Sequence, residues 1–156
     1  PEVNIKQIHD LDKEGWRLRY LKLSSHIGTH ADAFAPMDEN GTTIDNIQLE
    51  KYIGKTVLVD INSDFPKNLG LAFKEGKLEL DLFEKLKEAE PLFIVVGNTA
   101  ELDVDLERKL LQAGILTITD LVNMDELPEN KEFMFYGVPL KIKDGDGSPI
   151  RAFAIL

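Results

Sequence analysis

Two histidines and an aspartate, His26, His30 and Asp32, fall close together in a chain that has no cysteine and one further histidine, His9. Imidazole and carboxylate groups are suitable donors for zinc and similar divalent ions. With thiolates absent, any metal here must be held by nitrogen and oxygen. The separations are even, so on an extended strand all three side chains would project from one face, and Gly28 between them adds no bulk. Three such donors leave a coordination position open to water, whose proton a divalent ion loosens toward neutral pH; that is hydrolytic chemistry. The competing reading of a His-x3-His pair is two unrelated surface histidines, but a glycine and an aspartate in the same phase favour a metal site. His9 lies among polar residues and reads as solvated rather than as a third imidazole ligand.

The elements that must carry this cluster follow from the patterning. Residues 16–22 alternate loosely between apolar and charged and predict a strand with one wetted face, leading directly into the histidines. Residues 37–43 read as a surface turn, and the β-branched stretch 56–61 as a core strand. Residues 62–76, with Pro66, two glycines and mixed charge, show no clear period and are expected to form an irregular connection. Leu80, Leu82, Phe83 and Leu86 form a helical stripe halted by Pro91, and 93–96 is the next strand. Asp103 or Asp105 can cap a helix through Leu106, Leu110 and Leu111 that ends at Gly114, with 115–118 extended after it. Residues 138–142 and 150–156 predict two final strands around a hairpin turn at 144–147, whose acids are assigned to the turn rather than to a site. The sum is an α/β domain spanning 1–156, β-rich, with two or three helices.

Composition narrows the partners. A formal net charge of -10 and a pI near 4.7 would repel a phosphate backbone, so nucleic acid is not expected. The longest apolar run, residues 92–97, is far short of the roughly 20 residues that cross a bilayer, and no leader pattern is evident, so the expected place is the cytoplasm, away from membranes. The acidic stretch 101–107 lacks the alternating oxygen ligands and central glycine of a calcium loop and is read as helix capping. Arg17 and Arg19 read as solubilising charges on an edge.

The segment His26-Ile27-Gly28-Thr29-His30-Ala31-Asp32-Ala33 resembles the signature of the cyclase and kynurenine formamidase family of metal-dependent hydrolases. Gly41-Thr42-Thr43-Ile44-Asp45, Ile53-Gly54, Val57 to Asp60 and Leu110-Leu111 through Gly114-Ile115 are similar to its following segments. Val138-Pro139-Leu140 and Asp146-Gly147-Ser148-Pro149-Ile150-Arg151-Ala152 are similar to its C-terminal pattern. The resemblance implies a swivelling β/β/α-type domain with a mixed sheet. It also implies a homodimer or homotetramer, and hydrolysis of amides or lactones of small-molecule substrates with one or two divalent ions, zinc first and manganese as the alternative.

Departures from the family pattern are as informative. Pro36 stands where relatives carry a histidine that moves protons, and proline cannot do so. The residues matched to the second metal position are Glu107 and Thr119; Glu107 can ligate or serve as the catalytic proton carrier, whereas Thr119 is a weak replacement, with Asp120 directed elsewhere if the segment is extended. The simpler reading of Glu107 is an exposed carboxylate favoured at a helix start. Trp16 and Phe34 are candidates to line a substrate pocket beside the metal. Three readings stay open: an active amide or lactone hydrolase, a binding or regulatory protein that kept a partial metal site, and a purely structural subunit in which the histidines bind nothing.

Overall fold

The structure is a computed structural model that describes residues 2–37 and 39–156. Strand β1 (Asn4–His9), a single helical turn α1 (Leu11–Glu14) and β2 (Leu18–Lys22) form an antiparallel ribbon separate from the main sheet. Asp10 caps α1 by accepting the Asp12 N–H, and Gly15 closes it in the left-handed conformation. The wetted face expected for residues 16–22 is instead exposure on both faces: Ile5, Tyr20 and Leu21 are each more than half exposed.

The remaining strands are β3 (His30–Asp32), β4 (Ile53–Leu58), β5 (Gly70–Leu78), β6 (Ile94–Leu102), β7 (Thr117–Leu121), β8 (Phe133–Tyr136), β9 (Gly147–Pro149) and β10 (Phe153–Ile155). They build one eight-stranded mixed sheet in the order β10-β8-β4-β5-β6-β7-β3-β9. Its centre, β4 to β7, is parallel, and the flanking strands pair antiparallel. Parallel neighbours need crossovers, supplied between β5 and β6 by α2 (Phe83–Glu88) and between β6 and β7 by α3 (Val104–Gln112). This is the α/β class with a β-rich mixed sheet and three helices. No helix among the described residues is long and apolar enough to cross a membrane.

Period-two alternation divides the centre of the sheet between two cores. Leu71, Phe73, Ile94 and Val96 point toward α2 and α3, where they meet Leu86, Leu106 and Leu110. Ala72, Phe93 and Val95 point the other way, onto Ala31, Tyr52, Ile118 and Phe135. Helix α3 begins where its pattern says it should: the Asp103 carboxylate accepts the N–H groups of Asp105 and Leu106, and the chain leaves through Gly114 at φ +79°.

Three expectations fail. Residues 62–76 are not wholly irregular: 70–76 belong to β5, a central strand. Its buried half, Leu71 to Phe73, is too short to declare itself, and a register shift between Phe73 and Glu75 passes the strand to an exposed half. Residues 138–142 form no strand, and β8 lies before them, its alternating Phe133 and Phe135 turned into the core. The turn at 144–147 therefore joins no hairpin; Asp144 does take a left-handed φ of +53°, but the chain emerges from it as edge strand β9. Phe73 is fully buried, edge-on to Phe65 at 5.5 Å. A Phe73→Ala variant is expected to lose about 3–5 kcal/mol, read as a lowered urea midpoint at unchanged slope.

Candidate metal centre

The expected ligands converge, by a different route from the one their spacing implied. Only His30 to Asp32 is extended, while 25–29 form a bend in which Gly28 adopts φ +56°, a conformation glycine reaches without steric cost. The bend folds His26 back so that its ring meets that of His30 edge to face, centroids 5.1 Å apart. Strand β3 is held on both sides, by β7 through His30 opposite Thr119 and by β9 through Asp32 opposite Gly147. A Cβ on Gly147 would lie 2.7 Å from Cε1 of His26, so this glycine makes the room in which the ring lies.

Asp32, 4% exposed, is the hub. Its Oδ1 lies 2.8 Å from Nδ1 of His26 and 3.8 Å from Nε2 of His30, and its Oδ2 accepts a hydrogen bond from Thr117 Oγ1 at 3.0 Å. His30 Nδ1 donates to the Gly28 carbonyl at 2.7 Å, which leaves the lone pair on Nε2 facing Asp32 and the Thr119 hydroxyl, 3.1 Å away. A ligating histidine needs that tautomer.

His26 is clamped differently. Nδ1 faces Asp32, and Nε2 lies 3.2 Å from Oδ2 of Asp146. The hydrogen bond to Asp32 is the main cause that raises its pKa to about 9, opposed by partial burial and aided by Asp146. The imidazole therefore carries a proton on both nitrogens at neutral pH. Burial alone would raise the Asp146 carboxyl, but a hydrogen bond from Ser25 and the charge on His26 hold it below its ordinary value.

Glu107 sits one turn into α3 with Oε1 3.3 Å from Thr117 Oγ1. It is not the solvated helix-start carboxylate of the simpler reading. Burial, then the charge on Asp32, push its pKa up to about 7 against the opposing effects of Thr117 and His26. The phenol of Tyr52 is wholly buried with no hydrogen-bond partner among the described residues, and burial with the nearby Asp32 charge pushes its pKa upward.

His26, His30, Asp32, Glu107, Thr119 and Asp120 line one cavity of about 410 Å³, walled on its apolar side by Met37, Val96, Ala100 and Leu102. Asp120 was expected to point away; it has φ +58°, so the segment is not extended there and its carboxylate reaches to 4.0 Å from His30 Nδ1. Asp146, assigned above to a turn, belongs beside the site through its contact with His26. Trp16 and Phe34 do not line the cavity. Trp16 stays in the ribbon, edge-on to His9 at 4.3 Å, and Phe34 packs against the core; His9 is half-buried, its Nδ1 without a hydrogen-bond partner among the described residues, not solvated. Pro36 contributes its backbone to a 3-10 turn, and its side chain lies outside the described residues. Thr117, the other unanticipated member, carried no signal, because a lone threonine in an apolar strand reads simply as strand.

One donor atom from each of His26, His30 and Asp32 can be chosen so that all lie within 4.8 Å of one another, a set of two imidazoles and a carboxylate that fits a divalent ion. The chain is similar to several known proteins. Residues 3–109 match the family model named Cyclase. The chain is 26% identical over 175 residues to a kynurenine formamidase of Salinibacter ruber, covering 90% of this chain and 81% of that one. It is 25% identical to a kynurenine formamidase of Paracidovorax citrulli, over 85% and 76% of the two chains. Among solved structures it superposes on isatin hydrolase A from Labrenzia aggregata with a TM-score of 0.80 at 21% identity, covering 97% of this chain and 82% of that one. A protein from Bacillus stearothermophilus described as a predicted metal-dependent hydrolase gives 0.78 at 19% identity, over 97% and 85%. The chain belongs to the cyclase family.

Proposed function

We propose that this protein hydrolyses a linear or cyclic amide or a lactone, with His26, His30 and Asp32 holding one divalent ion, zinc in the first instance and manganese as the alternative. The observation that carries the reading is the convergence of those three donors within 4.8 Å at the wall of a cavity large enough for a small substrate. When bound, such an ion polarises a carbonyl and makes water a better nucleophile at neutral pH. The protein's own residues supply the rest. Glu107 stands apart from the trio, and a carboxyl with a pKa of about 7 is half protonated at working pH, suited to accept a proton from the attacking water and return it to the departing nitrogen or oxygen. That role replaces the histidine missing at Pro36. Met37, Val96 and Leu102 offer the apolar contacts for a substrate that Trp16 and Phe34 do not reach. The kynurenine formamidases among the relatives support the amide class.

The test is elemental analysis of the purified protein and its His30→Ala variant after incubation with zinc or manganese, followed by a screen of formanilides, cyclic imides and lactones. About one ion per chain, lost in the variant, together with turnover of one of these classes is the expected result. One observation favours a second reading, a binding protein with a partial site: Thr119, a neutral hydroxyl, stands against His30 where the family resemblance calls for a carboxylate. A stoichiometric ion without turnover of any amide or lactone would select it.

The same reading takes the protein to be a homodimer or homotetramer. The ribbon of β1 and β2 supports this, because it exposes Ile5, Tyr20 and Leu21 away from the main sheet.

A further inference from the structure

Asp32 offers two oxygens to a site in which only one of them can face the imidazoles. Oδ1 takes that place, within 2.8 Å of His26 and 3.8 Å of His30. What keeps the carboxylate from rotating lies on the other side. Thr117 is fully buried, its hydroxyl donates to Oδ2 at 3.0 Å, and the same hydroxyl oxygen lies 3.3 Å from Glu107 Oε1. A hydroxyl has a single proton and cannot donate to two carboxylates at once. The shorter contact, at 3.0 Å, gives that proton to Asp32, and the 3.3 Å approach to Glu107 is the weaker, competing one. The side chain has few other options: as a β-branched residue on a central strand, Thr117 has a stiff χ1, and its register opposite Ile94 is set by the β6–β7 ladder.

We propose that Thr117 is a positioning residue that turns Oδ2 of Asp32 into the protein and presents Oδ1 alone to the two imidazoles, making Asp32 a single-oxygen ligand and tying its orientation to Glu107. The inference rests on the metal-site reading above, and it assigns a role to a residue outside both the ligand set and the cavity wall. Groups that orient a ligating carboxylate commonly change metal affinity ten- to a hundredfold when removed.

The experiment compares wild type, Thr117→Val and Thr117→Ser, each checked for a native circular dichroism spectrum. Valine keeps the branched shape and removes the hydroxyl; serine keeps the hydroxyl. The first readout is the affinity and visible absorption spectrum of bound cobalt(II). The second, on metal-free protein, is the NMR position of the His26 Nδ1 proton that bonds to Asp32. The expected result is about a tenfold or greater loss of cobalt affinity with an altered spectrum in Thr117→Val, a shifted His26 proton, and values within about threefold of wild type in Thr117→Ser. Unchanged cobalt affinity and an unmoved His26 proton in Thr117→Val would overturn the proposal. If wild type binds no cobalt, the metal reading falls and the NMR readout decides alone: a proton displaced in Thr117→Val and restored in Thr117→Ser upholds the positioning role, and one that stays in place refutes it.

Discussion

Replacing Asp32 with alanine is expected to remove metal binding altogether, with an affinity loss well beyond the tenfold to hundredfold range that supporting residues produce. Asp32 is the one member of the trio within reach of both imidazoles and of Thr117, and it is almost wholly buried. Its loss leaves Thr117 with only Glu107 and His26 with only Asp146, so the His26 pKa is expected to fall from about 9 toward 6.5. Calorimetric titration with zinc, together with an NMR titration of the imidazoles, checks both halves. An Asp32→Ala protein that still bound zinc at wild-type affinity would show that the ion is held elsewhere. One whose His26 pKa stayed near 9 would show that Asp146, not Asp32, governs that ring.

The second large effect is a pH dependence that reverses sign between the metal-free and metal-bound protein. In the metal-free protein the folded pKa of His26 is raised from 6.5 to about 9. The stability it contributes is therefore fully present below pH 6.5 and is lost as pH climbs through 9. The ring is partly exposed, with 31% of its side chain accessible, so solvent screening reduces this contribution to on the order of 1–2 kcal/mol. Metal reverses the slope, because ligation requires removing a proton that the two carboxylates hold in place. Affinity is expected to rise about tenfold per pH unit between pH 6 and 8 and to level off near 9, with about one proton released per ion. Thermal unfolding of both forms across that range should give curves that diverge as pH increases. Parallel curves would mean that His26 is not a ligand.

Much of this was visible in the residues themselves. The His26, Gly28, His30 and Asp32 cluster named its donors by type, and Asp103 with Leu106 and Leu110 specified α3 almost completely, because capping and helical periodicity are local. Glu107 was reached only through the family resemblance. What stayed hidden depends on contacts between distant parts of the chain. Thr117 is 85 residues from Asp32, and a threonine on a strand gives no hint of the carboxylate it will meet. Ordinary turn and strand geometry gives Asp146 and Asp120 no part in the site; a left-handed backbone brings Asp120 toward His30, and Asp146 reaches His26 through a contact made across the chain. Strand β5 was missed because a central strand buried for only half its length looks like loop.

The placement of β3 bears on when the site can come into being. This three-residue strand lies between β7 and β9, partners that follow it late in the chain, and His30 and Thr119 are 89 positions apart. Contacts of such long range incur their loop-closure entropy early and are rewarded late, so they belong to the slow part of folding. During synthesis His26, His30 and Asp32 emerge long before the strands that arrange them. An ion arriving then finds three unorganised side chains, and the order of events becomes folding first and loading afterwards.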